Sequence, residues 1–258
     1  MDLNAYVGFF GSDHVARDPL ATPLNMDRIS IEDAYLVQEL IAAKRVAGGE
    51  AVTGYKVGCT SRAIREQFGL SEPIYARLFA SEIHDSGGSL NWGDYHQPAV
   101  EPEFVMGLGR DLVEEIEDED ELRGAVDFVA PGIELHHYHF WFAPPTIQEL
   151  IASNGIHAGL VVGPRQRPKP GLGWNRLEVS LRRNDVCEAS GLGEEIMGGP
   201  LTSLRWLANR RLREGVPLKT GDMVIPGSPV ELIRVESGDR IEARLDQIGA
   251  VSARFVEL

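Results

Sequence analysis

The chain is short of cysteine, of positive charge and of long apolar runs, and each shortage excludes something. Two cysteines, Cys59 and Cys187, stand in 258 residues. Two thiols make no disulfide framework, so a reducing, cytoplasmic setting is expected. Cys59 follows a glycine in a strand-like run, which predicts a buried structural thiol and not a nucleophile. Lysines and arginines number 25 against 39 aspartates and glutamates, a formal net charge of -14. That sign argues against nucleic acid or an anionic membrane as the main partner. An acidic substrate can still bind, but only through local cations, a metal ion or a few Lys and Arg. No apolar stretch approaches the length that spans a bilayer, and Met1-Asp2-Leu3-Asn4 lacks the basic start and apolar core of a signal peptide.

What is present suits a globular chain with a sizeable core, as one large domain or two intimately packed ones. Ser30-Ile31-Glu32-Asp33 predicts a capped helix start. The helix runs to about Val46, with Tyr35, Leu36, Leu40, Ile41 and Ala42 near one face, and Gly48-Gly49 ends it. Val52 to Cys59 reads as a strand carrying Lys56, and Thr60-Ser61 caps a short helix through Phe68. The acidic run Glu114 to Glu121 lacks the ligand spacing and glycine of a calcium loop, so it reads as a solvated loop and helix start. Leu122 to Val129 is expected to be helical and to end at Pro131. Arg165 to Gly173, rich in Pro and Gly, reads as an exposed loop. Leu177, Val179 and Leu181 alternate before the turn pair Asn184-Asp185, and Pro200 to Arg213 is an amphipathic helix with a Gly215 stop. Alternation at Ile241, Ala243, Leu245 and again at Val251, Ala253, Phe255 makes the C-terminal part β. The sum is an α+β fold around a curved mixed sheet.

The densest chemical signal is Val100-Glu101-Pro102-Glu103-Phe104, answered by Pro131-Gly132-Ile133-Glu134-Leu135. Pro102 favours extended backbone. Side chains alternate along a strand, so Glu101 and Glu103 share one side. Their flanks are apolar, as are those of Glu134. Buried carboxylates need a proton or a cation. An all-oxygen site suits Mg²⁺, Mn²⁺ or Ca²⁺. From spacing alone a second reading stands equally: Glu101 and Glu103 in salt bridges with Arg or Lys at a sheet edge.

Several blocks in order resemble one family. They are Gly54-Tyr55-Lys56-Val57-Gly58-Cys59-Thr60-Ser61, Glu72 to Leu78, Val100 to Leu112, Pro131 to Leu135, Gly221 to Pro229 and the tail from Gly238 to Phe255. Together they resemble the 2-keto-4-pentenoate hydratase / 2-oxohex-3-enedioate (4-oxalocrotonate) decarboxylase family of the fumarylacetoacetate hydrolase superfamily. The resemblance implies that superfamily's curved mixed-sheet roll with an N-terminal helical portion. Residues 1–50 are then a lead-in and helix, and 51–258 the metal-binding core, in one compact unit. It implies Mg²⁺ or Mn²⁺ held by Glu101, Glu103 and Glu134, and Lys56 beside the substrate. It also implies a hydroxyl and backbone amides near Ser228 that receive the substrate carboxylate. Lys56 alone can also be read as a structural ion-pair partner, and Gly227-Ser228-Pro229 as a simple turn.

The implied activity is hydration of a short 2-hydroxy-2,4-dienoate in the catabolism of aromatic-type compounds. A 2-oxo-3-enedioate decarboxylase, an acylpyruvate hydrolase and a non-catalytic partner subunit are the alternatives. For hydrolysis, His14 is a weak candidate base. The resemblance further implies homo-oligomers and association with a pathway partner enzyme. The chain departs from the family after Glu134, at His136-His137-Tyr138-His139, and again at His157. In a strand His136 shares its face with Glu134 and Tyr138, while His137 points away. His136, Tyr138 and His157 are therefore candidate pocket residues that alter substrate choice, and no second metal is expected. His157 can equally be a satisfied core histidine.

Overall fold

The computed structural model describes residues 3–11, 24–138 and 145–257. The expectations placed on His14 and His139 lie outside them. The helices are α1 (Asn4–Phe10), α2 (Ile31–Ala47), α3 (Arg62–Phe68), α4 (Glu119–Ala125), α5 (Ile147–Ala152) and α6 (Pro200–Arg213). The strands of the first half are β1 (Val52–Gly58), β2 (Ile74–Phe79), β3 (Ile83–Asp85), β4 (Ser89–Asn91), β5 (Ala99–Leu108) and β6 (Val126–His136). Those of the second are β7 (His157–Val162), β8 (Glu178–Arg183), β9 (Val186–Leu192), β10 (Met223–Ile225), β11 (Ile233–Arg234), β12 (Arg240–Leu245) and β13 (Gly249–Val256).

Two mixed sheets form. The larger runs β2-β1-β10-β5-β6-β7-β3, with β11 added against β5, and the smaller runs β4-β13-β12-β8-β9. Strands β5 and β6 pair antiparallel along almost their whole length at the centre of the large sheet. They are buried on both faces, which is why their sequences read as near-continuous apolar runs and not as clean alternation. Val100, Ile133 and Leu135 pack on Leu181, Ile241, Val251 and Phe255 of the small sheet. The register pairs Glu101 with Glu134 and Glu103 with Gly132, so the intervening residues turn the glutamates to the opposite side.

The helices cover what the strands leave. A reciprocal capping box of Ser30 and Asp33 starts α2, as the sequence indicates. Of the expected face, Ala42 is buried and Tyr35 and Ile41 pack half-buried on the core, but Leu36 and Leu40 are 48% and 42% exposed, and Ala34, Val37 and Gln38 turn inward as well. Gln38 explains the rotation. Its amide donates to the carbonyls of Tyr75 and Ile151 and its oxygen accepts from Arg77, so a fully partnered polar side chain sets the angle of the helix.

A second correction concerns Leu122 to Val129. The helix ends at Ala125 and Val126 opens β6, whose Val129 pairs with Met106 and bridges Gln166. Pairing with β5 overrides the local helical pattern. Pro131 ends nothing; it lies inside β6 opposite Phe104. The helix over Pro200–Arg213, the left-handed turn at Asn184 and Asp185 and the C-terminal hairpin of β12 and β13 follow the sequence reading. Among the described residues, no helix is long and apolar enough to cross a membrane.

Candidate metal and substrate site

Lys56 reaches the site from β1, which is joined to β5 through the short strand β10. It is 4% exposed. Its Nζ donates to Glu134 Oε1 at 2.6 Å and to the Gly155 carbonyl at 2.9 Å. An ammonium has three donors. Two are taken, and among the described residues one remains for a ligand.

Glu134 is the hub. Its Oε1 also meets His157 Nδ1 at 2.7 Å, and its Oε2 lies 3.6 Å from His136 Nε2. Burial by itself raises a carboxyl, but the charges of Lys56, His136 and His157 hold Glu134 well below the ordinary carboxylate range. His136 Nε2 also sits 3.2 Å from Glu101 Oε2. Glu101, Glu134 and His136 each bring one ligand atom within 4.8 Å of the other two.

Glu103 lies on the same side but outside that grouping. It is buried and accepts the Gly227 amide at 3.2 Å. Burial first, then the charges of Glu134 and Glu101, push its carboxyl well above the ordinary range. Two buried carboxyl groups, Glu103 and Glu134, and the partly exposed Glu101 thus lie together with one ammonium close by. The cluster is short of positive charge, and its oxygen-rich donors fit a divalent cation.

The histidines arrive by a local irregularity. The β6–β7 register slips between Leu135 and His136, which sets His136 opposite His157. A bulge of this kind re-aims side chains. His137 follows the expectation of facing elsewhere: its Nδ1 accepts from the His96 amide, and its ring packs near Tyr95. Tyr138 lies just past the strand, half-buried, its hydroxyl pushed up by burial and then by the charge of Glu101. Ser228 is held locally. Its Oγ accepts from the Val230 amide at 3.2 Å, the turn reading, and the loop touches the cluster through Gly227. Gly227 has φ +110°, and a Cβ there would strike Thr60. The Cys59 thiol is pushed up to about 11 by burial.

Two participants escape sequence reasoning. Glu82 Oε2 faces His157 Nε2 at 3.8 Å, and neither atom has a hydrogen-bond partner among the described residues. Gly155 offers its carbonyl to Lys56 from a turn in which Asn154, Gly155 and Ile156 all have positive φ. The Asn154 side chain fastens that turn to the backbone of Arg77 in both directions, at 2.8 Å each. Nothing in the spacing of Glu82 or Gly155 marks them, because contacts across the sheet bring them in.

The curled mixed sheet thus carries Glu101, Glu103 and Glu134 on its central strands β5 and β6, and Lys56 on β1, two strands from β5. The chain belongs to the fumarylacetoacetate (FAA) hydrolase C-terminal family, whose model matches residues 60–256. It is 32% identical over 232 residues to "2-keto-4-pentenoate hydratase 1" of Dechloromonas aromatica, covering 89% of this chain and 88% of that one. It is 28% identical over 235 residues to "2-hydroxyhexa-2,4-dienoate hydratase" of Comamonas testosteroni, covering 90% of this chain and 89% of that one. Among solved structures it superposes on 4-oxalocrotonate decarboxylase from Pseudomonas putida G7, complexed with magnesium and adipate. The TM-score is 0.89 at 24% identity, with 99% of each chain covered.

Proposed function

We propose that the chain is a divalent-metal-dependent hydratase. It adds water to a 2-hydroxy-2,4-dienoate, by way of the 2-oxo-3-enoate, and yields a 4-hydroxy-2-oxo acid. The observation that carries this reading is the group of buried Glu103, Glu134 and Lys56 with partly exposed Glu101. The glutamates lie on the central strands β5 and β6 and Lys56 comes from β1, in a chain similar along most of its length to hydratases.

Glu101, Glu103 and Glu134 are the residues that hold the cation, with Mg²⁺ or Mn²⁺ as the ion. A bound dication supplies Lewis-acid polarisation of a 2-oxo acid and stabilises negative charge on its 2-oxygen. Lys56 directs its remaining N–H at that oxygen and balances the charge of Glu134. Its two existing hydrogen bonds fix the ammonium in place, so no reorganisation is needed when charge develops on the substrate. Ser228, through its hydroxyl and its own backbone amide, receives the substrate carboxylate at the edge of the cluster, the neighbouring Gly227 amide being given to Glu103. Conjugation makes C4 of the 2-oxo-3-enoate electrophilic. Water adds there and a proton enters at C3, the pair of events that a hydratase must arrange. His157, between Glu134 Oε1 and Glu82 Oε2, can hold or pass a proton at Nε2.

The test is one assay with freshly generated 2-hydroxypenta-2,4-dienoate and, separately, 2-oxohex-3-enedioate. Each is followed by ultraviolet absorbance and CO₂ release together, with Mg²⁺ or Mn²⁺ present. Loss of dienoate absorbance without CO₂ is the expected result. CO₂ release from the dioate with an inert dienoate would make the chain a decarboxylase instead.

A further inference from the structure

We propose that His136 supplies a nitrogen ligand to the cation of this site, making it a mixed imidazole–carboxylate centre and not an all-oxygen one. The inference rests on the reading that Glu101 and Glu134 hold a divalent cation, and it adds a donor that the carboxylate motif does not contain.

Three observations converge. First, Glu134 offers only one free corner. Its Oε1 is engaged by Lys56 at 2.6 Å and His157 at 2.7 Å, so Oε2 is the oxygen left for a metal. His136 Nε2 is 3.6 Å from that Oε2 and 3.2 Å from Glu101 Oε2. The three atoms therefore enclose one space, and two of them are carboxylate oxygens already expected to face the cation.

Second, the ring is 2% exposed, and its Nδ1 has no hydrogen-bond partner among the described residues. Among the described residues, the polar contacts of this imidazole are with the two carboxylates. A cation bound at Nε2 leaves the ring proton on Nδ1 and does not satisfy that atom; what it accounts for is the close approach of Nε2 to two carboxylate oxygens at once, because neutral imidazole is a good metal donor.

Third, a bulge holds the ring there. The register slip between Leu135 and His136 falls at this residue and places it opposite His157, on the side of Glu134. His137, the next histidine in the chain, is spent elsewhere on the His96 amide.

The consequence is metal preference. Carboxylate and water donors suit Mg²⁺, Ca²⁺ and Mn²⁺, whereas imidazole strengthens binding of the later divalent ions, in the order Mn²⁺ below Co²⁺ below Zn²⁺. This chain is expected to favour Mn²⁺ and Co²⁺ over Mg²⁺ more strongly than a site without the histidine.

The experiment uses the full-length, chelator-treated protein. Mn²⁺ is added and ¹⁴N coupling is read by pulsed electron paramagnetic resonance. Mg²⁺ and Co²⁺ affinities are read by calorimetry on the wild type, His136→Leu and His157→Leu. Expected are ¹⁴N coupling in the wild type and in His157→Leu and its loss in His136→Leu. Co²⁺ affinity falls about 10- to 100-fold in His136→Leu, while Mg²⁺ affinity changes by less than about threefold.

A wild-type Mn²⁺ complex without ¹⁴N coupling overturns the proposal, and needs no variant to fold. Coupling that persists in His136→Leu and vanishes in His157→Leu also overturns it. A protein that hydrates the dienoate but shows no ¹⁴N coupling refutes the ligand and leaves the hydratase standing. Coupling without hydration does the reverse. No binding of any of these ions refutes both.

Discussion

The Nζ of Lys56 and the Oε1 of Glu134 lie 2.6 Å apart, on strands β1 and β6, with both side chains almost fully buried. The ion pair and the proposed substrate contact are therefore one arrangement. A lysine that neutralises a buried carboxylate and keeps one N–H in reserve does both tasks with one charge. Lys56→Met removes the ammonium and leaves Glu134 to His136 and His157. Breaking a buried pair costs about 3–5 kcal/mol, and the two histidines keep this case near the lower end. Loss of a positioned proton donor lowers turnover by roughly 10²–10⁴. Denaturant unfolding and steady-state rates of one preparation check both figures. Wild-type turnover in this variant would remove Lys56 from the chemistry.

Gly155 sits at φ +65°, and a Cβ there would come within 2.7 Å of Lys56 Cε. Gly155→Ala therefore meets a backbone penalty and a clash with the residue that the turn exists to hold. Stability is expected to fall by about 1 kcal/mol or more. The rate should fall further than that loss explains, since a small misplacement of a catalytic group is costly. Comparing kcat at a temperature where both proteins are folded separates the two effects.

Ser228 separates substrate binding from catalysis. Among the described residues its Oγ has one hydrogen bond, accepted from the Val230 amide at 3.2 Å. Ser228→Ala is expected to raise KM about tenfold through loss of one hydrogen bond to a charged group, with kcat changed less than threefold. A fall in kcat with constant KM would give this hydroxyl a different role.

The acid side of the stability curve depends on Glu214. Burial raises its carboxyl, but hydrogen bonds from Arg210 and Tyr75 and the charge of Arg211 hold it below its ordinary value. This group binds fewer protons when folded than when unfolded. Its contribution is present above the ordinary carboxylate range and disappears as pH falls through the lowered native value. Arg211, buried between Tyr55 and Tyr75, ties helix α6 to strands β1 and β2 through it. Glu214→Gln should cost about 1–2 kcal/mol at neutral pH, discounted for its partial exposure. That difference from wild type should shrink toward zero in acid. Unfolding midpoints between pH 3 and 7 measure it.

Much of this was legible from local chemistry. Ser30 and Asp33 are side chains that cap a helix wherever it goes, and the C-terminal strands alternate because one face is solvated. Glu101 and Glu103 share a face because of strand geometry alone, and the register then adds Glu134. What was not legible depends on pairing at a distance. Val126 to Val129 read as helix because their strand partners, Met106 to Leu108 in β5, are far off in sequence. Leu36 and Leu40 read as core, since nothing local announces that Gln38 has three buried partners. The bulge that sets His136 against His157 has no local signature either, so the place of His157 beside Glu134 was out of reach, as was that of Glu82.

The most direct test is a cation titration read two ways at once. Mn²⁺ is added to chelator-treated protein, and bound ions per chain and the rate of 2-hydroxypenta-2,4-dienoate consumption are followed together. The prediction is about one ion per chain, activity rising in proportion to it, and loss of both in Glu101→Gln and Glu134→Gln. Full turnover with no ion bound, or unchanged binding in those two variants, would contradict the assignment of these carboxylates as the metal-dependent catalytic site.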